Sequence, residues 1–159
     1  MRILELGPGI RPHLSDKDEI IHLDKAPLPH VEVVMDLNRL SPLFGGQKLP
    51  FPDESFDTIL AIDIIEHVID VVALMEELHR VLKPGGKLEI RTTNWKTANS
   101  FRDPTHYHYF TLESMDYFDP EKPLFKTYGH ISKARFKVKE AREDGQEIIF
   151  QLEKQPASH

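Results

Sequence analysis

The sequence has 159 residues, 40% hydrophobic and 29% charged, with a formal net charge of −6. That is enough chain for one domain with a real core, and the acidic balance argues against nonspecific nucleic-acid binding. The absence of cysteine excludes disulfides, thiolate metal sites and thiol nucleophiles, and no apolar run approaches the ~20 residues that span a bilayer.

The chain enters its first predicted strand almost at once, so no signal peptide is expected, and a cytoplasmic setting fits. Residues 2–7 form that strand, which ends in Glu5-Leu6-Gly7-Pro8-Gly9. A strand running into Gly-x-Gly turns sharply and lets backbone approach a ligand closely, because no Cβ stands in the way. Residues 10–18 are too short and polar for a full crossover helix. The second strand, 19–24, ends in Asp24. A glycine turn followed by an acid at the tip of the next strand is how a doubly wound sheet commonly holds a ribose.

A proline-containing loop leads to a third predicted strand, 31–36, which ends in Asp36. Three prolines and a Gly-Gly pair make a long helix over 37–55 improbable. The fourth strand, 56–63, has a continuous apolar core, as expected of a central parallel strand. Asp70 can cap a helix over 71–82, whose apolar face is Val71, Leu74, Met75, Leu78 and Leu82. Pro84-Gly85-Gly86 is expected to stop it, with the fifth strand over 87–93. Residues 95–110 are poor in aliphatics and rich in aromatic and imidazole groups. A short helix over 112–118, a loop over 119–134 and a closing hairpin (136–141 with 147–152) complete the expected order. The basic stretch at 120–142, with seven Lys/Arg against two Asp/Glu, reads most simply as a solvated strand face.

Dinucleotide binders place a third glycine where this chain has Pro12, which removes an N–H and blocks close helix–strand packing. Glu5 would repel a pyrophosphate and would suit a cationic ligand such as S-adenosylmethionine. With these residues in view, the chain resembles the class I S-adenosylmethionine-dependent methyltransferases of the small methyltransferase type 11 kind. The resemblance runs from residue 2 to about 94, and more loosely to the end. Arg11 stands where that family commonly has a third glycine, and the helix that usually precedes the first strand is missing.

The resemblance implies a fold: an α/β, Rossmann-like, mostly parallel sheet with a C-terminal antiparallel hairpin and shortened connecting helices. Residues 1–94 would be the cofactor core, 95–130 a substrate cap and 135–153 the closing hairpin of one domain. It also implies roles. Gly7, Pro8 and Gly9 would pass under the methionine part of the cofactor. Glu5 would support the turn or meet the ammonium group. Asp24, with Lys25 beside it, would take the ribose hydroxyls, Asp36 and Leu37 the adenine, and Asp63 and Ile64 the methionine end. Glu66-His67-Val68 resembles an element common after strand four in this family, which puts His67 near the transferred methyl group. The run from Asp103 to Thr111 resembles a stretch found in a subgroup of these enzymes. There His106 is the expected base or substrate anchor, Asp103 a substrate contact, and Tyr107 and Tyr109 the walls of a pocket.

His106 and His108 with Asp103 suggest a metal, but no third ligand is evident nearby, so none is expected. The expected activity is methyl transfer to an N- or O-nucleophile of a small molecule. The alternatives are a binding module that transfers nothing and a nucleotide-dependent oxidoreductase. Pro12 and the closing hairpin count against the oxidoreductase. A second copy, or a partner subunit, would cover the trimmed side; neither a membrane nor a nucleic acid is an expected partner.

Overall fold

The computed structural model describes residues 1–157. Seven strands form one sheet in the order β3-β2-β1-β4-β5-β7-β6. They are β1 (Arg2–Leu6), β2 (Glu19–Asp24), β3 (Val33–Val34), β4 (Phe56–Ile62), β5 (Leu82–Thr93), β6 (Phe136–Asp144) and β7 (Glu147–Lys154). The first five are parallel, and β7 runs antiparallel between β5 and β6. This is the mixed sheet expected from the sequence, with the hairpin closing one edge.

β4 and β5 are fully buried on one face, while the other face, with Thr58, Leu60, Ile62, Glu89 and Arg91, is only partly covered. Leu4, Leu6, Leu23, Ile59, Ala61, Leu88 and Ile90 all lie in one core. The helix α1 (Val71–Val81) packs Leu74, Met75, Leu78 and Val81 into it. Asp70 accepts the Ala73 N–H at 2.9 Å and caps the helix. From the hairpin, Phe136, Ile148, Phe150 and Leu152 enter the same core, so β6 and β7 complete it.

Four expectations are corrected. The third strand pairs over two residues only, Leu23 with Val33 and Asp24 with Val34, because β2 ends at Asp24 and offers no further partner. The fifth strand begins at Leu82, not at Lys87: Phe56 pairs with Leu82 and Thr58 with Lys87, so Lys83–Gly86 bulge out of the ladder. Leu82 itself ends α1 by turning extended, and Lys83 Nζ anchors the bulge to Asp57 Oδ1 at 2.8 Å. The helix expected over 112–118 is a 3-10 turn over Ser114–Phe118. The segment read as a loop contains a short helix, α3 (Pro123–Tyr128), started by proline in its first turn.

No helix among the described residues is long and apolar enough to cross a membrane. Few connections are helical. The β1–β2 crossover has no helix, and the β3–β4 link carries only 3-10 turns at Leu37–Leu40 and Pro42–Phe44. As a result the carboxyl ends of β1, β2 and β4 open onto short loops rather than long helices.

Candidate active site

The turn after β1 is built by two left-handed glycines, Gly7 at φ +62° and Gly9 at φ +56°. A Cβ on Gly7 would sit 2.7 Å from Ile64 Cδ1, whereas one on Gly9 would meet nothing within 4 Å. Gly7 therefore packs against the segment after β4, and Gly9 faces open space. Gly7 N–H donates to Leu23 O at 2.8 Å. Gly9 N–H donates to Asp24 Oδ2 at 3.0 Å, and Asp24 Oδ1 accepts the Ala26 N–H at 2.9 Å. The acid at the tip of β2 thus fixes the glycine turn and keeps spare lone pairs on both oxygens.

Glu5 is bonded to the loop that follows the turn. It is buried, and it accepts the His13 N–H at 2.9 Å; its other oxygen lies 2.6 Å from His13 Nδ1, and His22 Nε2 is 3.4 Å away. Glu5 holds the 10–18 loop onto the sheet in place of the missing crossover helix.

A cavity of about 300 Å³ opens beside this turn. Gly7, Asp24, Lys25, Asp36, Leu37 and Ile64 line it, as do His67 and Thr105 on the far side. Among the expected cofactor residues, Glu5, Pro8, Gly9 and Asp63 are not in its lining. Leu23, Met35, Asn38 and Val68 are in it, although none of them was an expected cofactor contact. Asp36 accepts the Asn38 N–H at 2.9 Å and starts the turn that buries Leu37. Asn38 Oδ1 accepts the Ile69 N–H at 2.9 Å, which ties the two walls of the cavity together. Apolar Met35, Leu37 and Val68 suit the faces of a flat heterocycle, and the Asp24 carboxylate suits a pair of hydroxyls. With the open glycine turn, these residues fit an adenosyl group.

The segment after β4 carries the titratable groups. Asp63 turns the chain back through a left-handed conformation, φ +53°, which Asp tolerates better than most side chains. Desolvation raises the pKa of its carboxyl, against the pull of His67, Arg91 and His106. Glu66 is buried and accepts the Thr92 hydroxyl at 3.0 Å. Burial pushes its carboxyl up, and its own backbone N–H and Thr92 offset this only in part.

The Asp103–Thr111 run folds over this segment. Tyr107 N–H donates to Glu66 O at 2.8 Å. Thr105 Oγ1 donates to Asp103 Oδ1 at 2.7 Å and lies 2.9 Å from His67 Nδ1, which is 3.1 Å from Thr105 O. With the Thr105 proton committed to Asp103, His67 Nδ1 is the donor. His106 Nδ1 lies 2.8 Å from Ser100 O, in the short helix α2 (Ala98–Arg102), and must donate as well. In the neutral rings both Nε2 atoms are then free lone pairs. The two rings meet edge to face at 4.7 Å, and Asp103 Oδ2 is 3.7 Å from His106 Nε2.

The structure therefore brings His67, His106 and Asp103 together, with Glu66 beneath them. His108 is drawn off to Ile69 O at 2.8 Å. Tyr107 and Tyr109 are about half exposed, and Tyr109 stacks on Phe101 at 4.4 Å, on the outer surface rather than in the cavity lining.

Residues 32–90 match the family model described as a methyltransferase domain. Over 71 residues the chain is 35% identical to the sterol 4-C-methyltransferase strm-1 of Caenorhabditis elegans, covering 45% of this chain and 21% of that protein. Over 66 residues it is 40% identical to the demethylmenaquinone methyltransferase of Geobacillus kaustophilus, covering 42% and 28%. The chain thus spans less than a third of the length of these relatives. Among solved structures, a SAM-dependent methyltransferase from Aquifex aeolicus aligns over 97% of this chain and 81% of its own, with a TM-score of 0.60 and 19% identity. The cyclase SpnF aligns over 96% and 74%, at 0.61 and 14%; likenesses this distant speak for the fold alone. In the sequence of residues 32–90 the chain is similar to a methyltransferase domain, and over nearly its whole length it has the fold of S-adenosylmethionine-dependent methyltransferases.

Proposed function

We propose that the chain transfers a methyl group from S-adenosylmethionine to an oxygen or nitrogen nucleophile of a small molecule. The observation that carries this reading is the single cavity that joins Gly7, Asp24 and Leu37 on one side to His67 on the other. The relatives named for a sterol and for demethylmenaquinone support a small acceptor.

The bound cofactor supplies an already activated methyl group, so the protein's task is alignment and exclusion of water. Asp24 and Lys25 would hold the ribose, Asp36 and Leu37 would border the adenine, and the Gly7-Pro8-Gly9 turn with Ile64 would pass along the methionine part. The Nε2 lone pairs of His67 and His106 would hold the acceptor or take its proton. Glu66, through the Tyr107 backbone bond and its own burial, would keep the two histidine-bearing segments in register.

Calorimetric titration with S-adenosylmethionine, S-adenosylhomocysteine and NAD tests this. Micromolar binding of the first two, and none of NAD, is expected. Binding of NAD alone would replace the reading with the oxidoreductase. Binding of the cofactor with no turnover in an acceptor screen would leave a binding module. Gly7→Ala, which combines left-handed strain of roughly 1–2 kcal/mol with a clash on Ile64, should abolish cofactor binding.

A further inference from the structure

We propose that Glu66, His67 and His106 form a binding site for one divalent transition-metal ion at the acceptor end of the cofactor cavity. A Glu66 carboxylate oxygen and one ring nitrogen from each histidine lie within 4.8 Å of one another. Among the described residues no other group of three His, Asp or Glu side chains gathers its ligating atoms in this way. The Asp103–His108 stretch supplies only His106, and the other two ligands come from the segment after β4.

The hydrogen bonding around the cluster is that of prepared ligands. A metal-binding imidazole usually donates its other N–H to a backbone carbonyl or carboxylate, which fixes the ring and selects the free nitrogen. Here His67 Nδ1 faces Thr105 O at 3.1 Å and His106 Nδ1 faces Ser100 O at 2.8 Å. Both rings therefore reserve Nε2. Thr92 Oγ1 orients the Glu66 carboxylate at 3.0 Å. Two imidazoles and a carboxylate without sulfur suit Zn²⁺ and the neighbouring divalent ions, and three protein ligands leave a position open. Tetrahedral ligands at 2.0–2.1 Å from zinc are ~3.3 Å apart, so modest side-chain rotation closes the site.

This inference rests on the methyltransferase reading and deepens it: of the two tasks open to the Nε2 atoms, it assigns them the holding of the acceptor, through the ion, and not the taking of its proton. A hydroxyl of the acceptor, bound at the open position, loses its proton to solvent more readily than it would in water. The oxygen then bonds to the methyl carbon as the sulfonium S–CH3 bond breaks and S-adenosylhomocysteine leaves, with no dedicated protein base. The substrate class this favours is a small molecule with a hydroxyl at the methylated position.

Equilibrium dialysis of the full chain against Zn²⁺, and against Co²⁺ as a visible-absorption probe, tests the site. One ion per chain at micromolar or tighter affinity is expected. His67→Ala and His106→Ala should each weaken binding by about a hundredfold, and Thr92→Val, which removes only the hydroxyl on Glu66, by about tenfold. The double variant His13→Ala/His22→Ala should bind normally. Melting curves confirm that each variant is folded, and Zn²⁺ should raise the melting temperature of the wild type and not of His106→Ala. Failure to bind any ion overturns the proposal, as does binding that survives His67→Ala and is lost in the His13/His22 pair. S-adenosylmethionine titrated into the same samples separates the two readings: cofactor binding without metal defeats only the metal site, and binding of neither defeats both.

Discussion

Two buried glutamates stand near the carboxyl edge of the sheet, and they are treated in opposite ways. Glu5, in β1, accepts from the His13 N–H at 2.9 Å and pairs with the His13 ring at 2.6 Å, and the His22 ring lies 3.4 Å away. Glu66, just after β4, has the Thr92 hydroxyl at 3.0 Å as its one side-chain donor, and burial pushes its carboxyl up. A buried carboxylate with full partnership is a fastener, whereas one left short of positive charge costs stability and is kept for another purpose. The first fastens the 10–18 loop to the sheet, and the second lies beside the His67 and His106 rings.

Three substitutions test that contrast, ordered by their expected effect on stability. Glu5→Ala removes the buried acceptor that holds the His13 N–H and ring and should cost about 3 kcal/mol. For a chain of this size that is roughly a 6–12 °C fall in melting temperature, with the 10–18 loop the first region to lose hydrogen-exchange protection. A fall of only a degree or two would mean that Glu5 is no fastener.

Glu77 offers an intermediate case. Burial acts to raise its pKa, but the Arg80 hydrogen bonds and the Leu49 N–H outweigh this and hold it below the ordinary carboxyl range. A depressed folded-state pKa contributes stability that is complete above the unfolded value, near 4.3, and is lost as pH falls through the folded value. Glu77→Gln should therefore cost about 1–2 kcal/mol at neutral pH, and its deficit relative to wild type should shrink below about pH 4. A deficit that stays constant with pH would count against the ion pair.

Glu66→Gln should have the smallest effect, under about 1 kcal/mol, because removal of a poorly compensated charge offsets the weakened bond to Thr92. Metal uptake should nevertheless disappear in that variant. A large loss of stability with normal metal uptake would make Glu66 a second fastener and erase the contrast.

The sequence made the cofactor side legible because its signals are local. A glycine turn, an acid at the next strand tip and an apolar central strand can each be read within ten residues. The partnership of Glu66 with Thr92 spans 26 positions, and the bond from His106 to Ser100 depends on the short helix α2, so neither is visible in a local pattern. Strand three is shorter than its composition suggests for a related reason: Val31–Asp36 has strand composition, but pairing is limited by where its neighbour β2 stops. The helix at Pro123–Tyr128 carries one local signal, Pro123 at its first position, a recognised start.

The place of β7 also bears on how the protein is made. Glu147–Lys154 is the last strand among the described residues, yet it pairs with β5 on one side and β6 on the other. While the chain is being synthesised, β5 keeps an open edge and β6 has no neighbour until residue 154 has left the ribosome. The sheet therefore closes late, through contacts distant in sequence, and the half-made protein depends on its own acidic charge, or on a chaperone, to avoid pairing that edge with another chain.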